Sequence, residues 1–155
     1  MINYVTGFMF SQDLLNVGLI KKLKPKWQSG LYNGIGGKIE HDESPYEAIA
    51  REFQEETGVE TKPDEWKLYV TLTRPDIYRV YFLCMISDKV HNIRTTEEEI
   101  VKLLPCDALP KNVIHNLRWL IPLALDKSLA LTTPICIEEI KKPINTNPKT
   151  ITLNL

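Results

Sequence analysis

The sequence predicts an α+β chain or an α-β-α sandwich, a mixed sheet carrying a helix on each of its two faces. Three observations lead there. Short segments with two-residue apolar alternation or brief apolar runs recur along the 155 residues. Two segments switch to helical spacing. No stretch between them is long or polar enough to act as a linker, so residues 1–155 are expected to form a single domain.

Tyr4 to Phe10 and Asn16 to Leu23 read as a hairpin around Ser11-Gln12-Asp13, and Tyr32 to Ile39 as a strand broken by glycine. A helix follows, with Ser44 as N-cap, Pro45 in its first turn and Glu47 completing a capping box. Gly58 suits the left-handed position that ends it. Tyr46, Ile49, Ala50 and Phe53 form its apolar stripe. Trp66 to Thr73 and Ile77 to Ile86 make a second hairpin turning near Arg74-Pro75-Asp76. Ile100 to Leu104 reads as another strand. Asn112 to Asp126 reads as a second helix, in which Pro122 predicts a kink or a late restart. Pro134 to Ile140 and Thr150 to Leu153 read as a terminal hairpin around Asn145-Thr146-Asn147-Pro148.

Composition bounds the function. With 43% hydrophobic and 25% charged residues the chain can bury a core, and a net charge of −1 argues against polynucleotide binding over a broad basic surface. The local exception is Lys21, Lys22, Lys24 and Lys26, either a solubilising loop or a patch that screens substrate phosphates. Three widely spaced cysteines show neither a disulfide framework nor a zinc pattern and suit a reducing cytoplasm. The longest apolar stretch, Leu117 to Leu125, is interrupted by Arg118 and Pro122 and is too short to cross a bilayer. His41, His91 and His115 stand apart without a ligand spacing.

The chemistry is concentrated from Gly37 to Val59, GKIEHDESPYEAIAREFQEETGV. Glu52, Glu55 and Glu56 fall at i, i+3 and i+4 and project from one helical side. Like charges so placed weaken a helix by a few tenths of a kcal/mol unless a cation lies between them. The alternative is a solvated acidic face. Carboxylates without histidine or cysteine favour hard ions, magnesium first and manganese as a substitute. Arg51 lies one turn before Glu55 and within reach of Glu43, where its guanidinium can orient carboxylates or form a plain surface ion pair. Gly34, Gly36 and Gly37 let backbone approach a ligand closely, and the Gly36 carbonyl is a plausible further metal ligand.

The spacing G-x5-E-x7-R-E-U-x-E-E-x-G-U, with U apolar, is met by Gly37, Glu43, Arg51, Glu52, Phe53, Glu55, Glu56, Gly58 and Val59. It resembles the Nudix box, and the resemblance makes the α-β-α sandwich the specific choice of fold. The flanking Gly30-Leu31-Tyr32-Asn33-Gly34-Ile35-Gly36-Gly37-Lys38 looks like the G-x-[WY]-N-G-x-G-G-K string of MutT-like and animal 8-oxo-dGTP-cleaving members. By that resemblance Asn33 contacts the base, with Tyr32 packed beneath it; otherwise Asn33 is a turn residue. Lys22 and Lys38 are the lysines expected to bind substrate. Glu99, in Thr95-Thr96-Glu97-Glu98-Glu99-Ile100, matches the acid that reaches the metals in the same subgroup, with Glu98 as the fallback.

One departure bears on substrate. Val113-Ile114-His115-Asn116 stands where the animal enzymes that remove 8-oxo-purines carry a tryptophan and paired aspartates, and Trp119 is expected to pack in the core.

The resemblance implies a magnesium-dependent pyrophosphohydrolase that cleaves a nucleoside triphosphate, canonical or oxidised, to the monophosphate and pyrophosphate. Glu52, Glu55 and Glu56 would hold metal with Glu99 and the Gly36 carbonyl, while Arg51 and Glu43 orient them. The alternatives are ADP-ribose, a dinucleoside polyphosphate or capped RNA as substrate, or a non-catalytic nucleotide sensor. The expected partner is a small nucleotide, with no membrane and no stable nucleic-acid binding.

Overall fold

The computed structural model describes residues 1–129 and 132–140. Its strands are β1 (Ile2–Phe10), β2 (Asn16–Lys21), β3 (Tyr32–Asn33), β4 (Ile35–Lys38), β5 (Lys67–Arg74), β6 (Tyr78–Ile86), β7 (Ile100–Pro105) and β8 (Ile135–Glu138). The helices are α1 (Pro45–Thr57) and α2 (Leu117–Leu125). All eight strands join one mixed sheet in the order β3-β2-β1-β6-β5-β8, with β4 paired to β1 and β7 to β2.

β1 shows why this is a two-faced core. Val5 and Met9 point to the side that α1 covers through Ala48, Ile49 and Phe53. Phe8 and Phe10 point to the other, where α2 brings Leu117, Leu120 and Ile121. Side chains one residue apart along a strand face opposite ways, so one strand feeds both layers. The result is the α-β-α sandwich.

β1 and β2 do start as the expected hairpin, but they pair only at Phe10↔Val17 and then diverge. β1 instead runs parallel to β6 along its whole length, Ile2↔Tyr78 to Phe10↔Ile86. The chain at Tyr32–Lys38 fills the fork: β3 pairs with β2, and β4 pairs with β1 from Tyr4↔Lys38 to Gly7↔Ile35. Gly34 is the break between them, as the glycines predict. The β5–β6 hairpin also forms, turning at Asp76 with φ 64°.

One expectation is corrected. The second helix begins at Leu117 rather than Asn112, because Val113 bridges to Tyr32 and Ile114 donates to the Tyr32 carbonyl at 2.9 Å, which holds that stretch extended. Pro122 lies inside the helix, with no restart after it. At the C-terminal end, β8 pairs in parallel with β5, Val70↔Ile135 to Thr73↔Glu138. The proposed partner strand, Thr150 to Leu153, and its turn lie outside the described residues.

Candidate active site

α1 starts as its capping residues require. Glu47 N donates to Ser44 Oγ at 3.2 Å and Ser44 N to Glu47 Oε2 at 2.8 Å, a reciprocal box. Gly58, at φ 75°, closes the helix in the left-handed region. Thirteen residues between these stops set which side faces the sheet. Phe53 goes into the core against Trp66, ring centroids 5.3 Å apart. That fixes Glu52 and Glu56 over the glycines of β4, while Glu55 is exposed.

The fit is close. A Cβ on Gly37 would run into the Glu52 carboxylate, and one on Gly36 into the Val5 carbonyl of β1. The Gly36 N–H donates to Glu56 Oε2 at 3.2 Å. At Gly36 the space of a side chain is already taken by backbone, whereas at Gly37 a side chain would have to displace the Glu52 carboxylate.

Arg51 organises the acids. Its Nε and Nη2 donate to Glu43 Oε1 and Oε2 at 2.8 and 2.9 Å, a bidentate pair. Nη1 donates to Glu52 at 2.8 Å and to Glu55 at 3.3 Å, and Nη2 to the Lys38 carbonyl at 3.1 Å. The carboxyl of Glu43 is held below its usual range by that guanidinium. Glu52 is pushed up by burial, against the pull of Arg51.

Glu56 is pushed up to about 7. Burial is the main cause, and the charges of Glu52 and Glu99 add to it against Lys22 and the Gly36 N–H. Glu99 is brought to the same place from the start of β7. Its carboxylate accepts from Lys22 Nζ at 2.7 Å and from the Leu23 N–H at 2.6 Å. Burial alone would raise its pKa, but these bonds leave it lowered. Thr96 Oγ1 donates to the Glu55 carbonyl at 2.6 Å, tying this loop to the end of α1.

A cleft of about 410 Å³ opens beside the acids. Gly36, Gly37 and Lys22 line its polar end, and Leu72, Val80, Phe82, Leu117 and Leu120 its apolar floor. Asn33 lines it too, its Nδ2 donating to Gln28 at 3.2 Å, and Tyr32 is buried behind it. Lys38 is exposed and does not line the cleft. Trp119 is a further correction: at 37% exposure it is not core. The aromatic residue at the mouth is Trp27, 69% exposed on the short helical turn Lys26–Gln28. Sequence reasoning passed over Trp27, although an aromatic at the end of a lysine run was a visible signal. Asn116, Tyr78 and Glu139 also line the cleft, and no local pattern marked them.

The fold is thus an α-β-α sandwich that sets an acidic helix over a glycine strand beside a cleft. The NUDIX domain family model matches residues 5–123, and the chain belongs to that family. A MutT structure from a study of the Aliivibrio salmonicida and Vibrio cholerae proteins is 21% identical, with TM-score 0.62 over 79% of this chain and 98% of that one. A MutT NUDIX hydrolase from Burkholderia pseudomallei is 18% identical, with TM-score 0.64 over 78% and 95%. A MutT/nudix family protein from Enterococcus faecalis is 15% identical, with TM-score 0.63 over 77% and 59%. Family membership makes the chain a hydrolase of pyrophosphate bonds, in a family whose members generally use divalent metal ions. No helix among the described residues is long and apolar enough to cross a membrane.

Proposed function

We propose that residues 1–155 act as one domain that hydrolyses a nucleoside triphosphate to the monophosphate and pyrophosphate with magnesium, manganese serving as a substitute. One observation carries this reading: Glu52 and Glu56 of α1 stand directly behind the two glycines that line a cleft with an apolar floor, with Glu55 on the same helix beside them. A cation gathered by the acids would suit the phosphates, and the floor suits a base.

Among the described residues no group of three acidic, histidine or cysteine side chains is gathered closely enough to hold one ion in this conformation. The donor set nevertheless fits one. Glu56 is forced toward protonation by burial beside other acids, a cost that a divalent cation removes. Hard oxygen donors and no sulfur or imidazole select magnesium or manganese. Glu52, Glu55 and Glu56 would hold the ion with Glu99, and the Gly36 carbonyl is the backbone donor beside them. Bound there, it would neutralise the anhydride oxygens and lower the pKa of a water.

The protein's own groups do the rest. Arg51, itself held by Glu43, keeps Glu52 and Glu55 oriented through its Nη1. Lys22 lies between the acids and the cleft, where its charge meets the phosphates. Asn33 supplies an amide to the base. The oxygen of the attacking water bonds to phosphorus as the bridging P–O bond breaks, pyrophosphate leaves, and a glutamate accepts the water's proton.

The test is pyrophosphate release from a panel of canonical, oxidised and methylated nucleotides, ADP-ribose and capped RNA. Release from triphosphates that stops with chelator and drops at least about a hundredfold in Glu56→Gln is expected, in line with the loss of a principal charge-stabilising group. Tight nucleotide binding without product, or preference for ADP-ribose or capped RNA, overturns it.

A further inference from the structure

Glu139 is set apart from the acids of α1. It follows β8, past residue 123 where the family match ends, and lines the same cleft together with Tyr78. Its N–H donates to the Thr73 carbonyl at 2.8 Å, so its backbone continues the β5–β8 ladder. The carboxylate is held as well: Oε1 accepts from the Tyr78 hydroxyl at 2.8 Å, and Oε2 lies 4.0 Å from Arg74 Nε. Tyr78 occupies one acceptor direction of a group that has about four. The remaining ones have no role in metal binding or in the Asn33 contact.

A carboxylate only accepts hydrogen bonds. On the wall of a cleft floored by Leu72, Val80 and Phe82 it favours a flat ring that offers N–H donors side by side. It repels a ring edge that presents a lone pair. Adenine presents its N1 lone pair beside the amino group, and thymine flanks its single N–H with two carbonyls. The 2-amino-6-oxopurine edge offers a ring N–H next to an amino group, a spacing that two carboxylate oxygens match. Hypoxanthine keeps the ring N–H and lacks the amino group.

We propose that Glu139, oriented by Tyr78, is the specificity residue of the cleft and selects guanine-type nucleotides by accepting from that paired N–H edge. The inference rests on the nucleoside triphosphate reading above. β8 thereby adds base selection to chemistry performed by α1 and β4, and Tyr78 is a positioning residue.

The experiment compares dGTP with dITP, with magnesium, in the wild type, Glu139→Gln and Tyr78→Phe, after circular dichroism has shown each variant folded. The wild type is expected to prefer dGTP in kcat/KM by roughly ten- to a hundredfold, the range of a hydrogen bond to a charged group. In Glu139→Gln the preference collapses, mostly through KM, because glutamine can present only one acceptor oxygen. Tyr78→Phe loses part of it, again in KM rather than kcat. Equal kcat/KM for the two nucleotides in the wild type, or a preference that survives Glu139→Gln, overturns the assignment while leaving triphosphate hydrolysis intact. Should no triphosphate be hydrolysed, the proposed function fails. Calorimetric binding of dGTP and dITP then judges Glu139 separately: tighter dGTP binding lost in Glu139→Gln supports it, and equal affinities overturn it.

Discussion

At the scale of single residues, Glu43 and Glu56 depend on pH with opposite signs although one helix positions both. Glu56 in the folded chain has its pKa raised from 4.5 to about 7 by burial, so the native state holds the proton more tightly than the unfolded one. Its contribution to stability is full below about 4.5 and is lost as pH rises through about 7. Glu43 is lowered by Arg51, so its contribution is present above 4.5 and is lost as pH falls through its native value. Thermal melts in chelator should therefore show Glu56→Gln gaining on the wild type from pH 5 to pH 8. Glu43→Gln should show its deficit at pH 7 and lose it in acid. A Glu56→Gln curve parallel to the wild type over that range would contradict the burial argument.

At the scale of elements, Gly36 and Gly37 sit next to each other in β4 and should fail differently. A methyl at Gly37 meets only the end of a flexible glutamate, so Gly37→Ala should fold and displace Glu52, losing most activity with a small change in melting temperature. A methyl at Gly36 meets backbone of β1, so Gly36→Ala should break the β1–β4 pairing and cost about 1–3 kcal/mol, as overpacking does. Denaturant melts beside activity assays separate the two. The sequence made β4 and α1 legible because glycine, proline and capping residues act locally. The start of α2 was not legible, since the extended stretch before it depends on a bridge from Val113 to Tyr32, far away in the chain. The β1–β2 fork was hidden for the same reason: its cause is Tyr32–Lys38 inserting between the strands. At the site, the box acids were readable from spacing, whereas Glu139 comes to Tyr78 only through β8 pairing with β5.

At the scale of the whole molecule, the free cysteines report on the layer that α2 covers, against which both Cys84 and Cys106 pack. Burial pushes the thiols of Cys84 and Cys106 up to about 11, while Cys136 is exposed on β8. The thiolate is the form that reacts, so iodoacetamide at pH 8 should label Cys136 first and the others only as the sandwich opens. Mass spectrometry during a denaturant titration checks this; early labelling of Cys84 would mean that its layer opens on its own. Within that folded frame Arg51 has a standing of another kind. Its donors reach Glu43, Glu52, Glu55 and the Lys38 carbonyl, so four points of the chain share one rigid fork that no other side chain reproduces. A library of all substitutions at position 51, selected for catalysis, should return arginine alone, with lysine rejected as firmly as alanine.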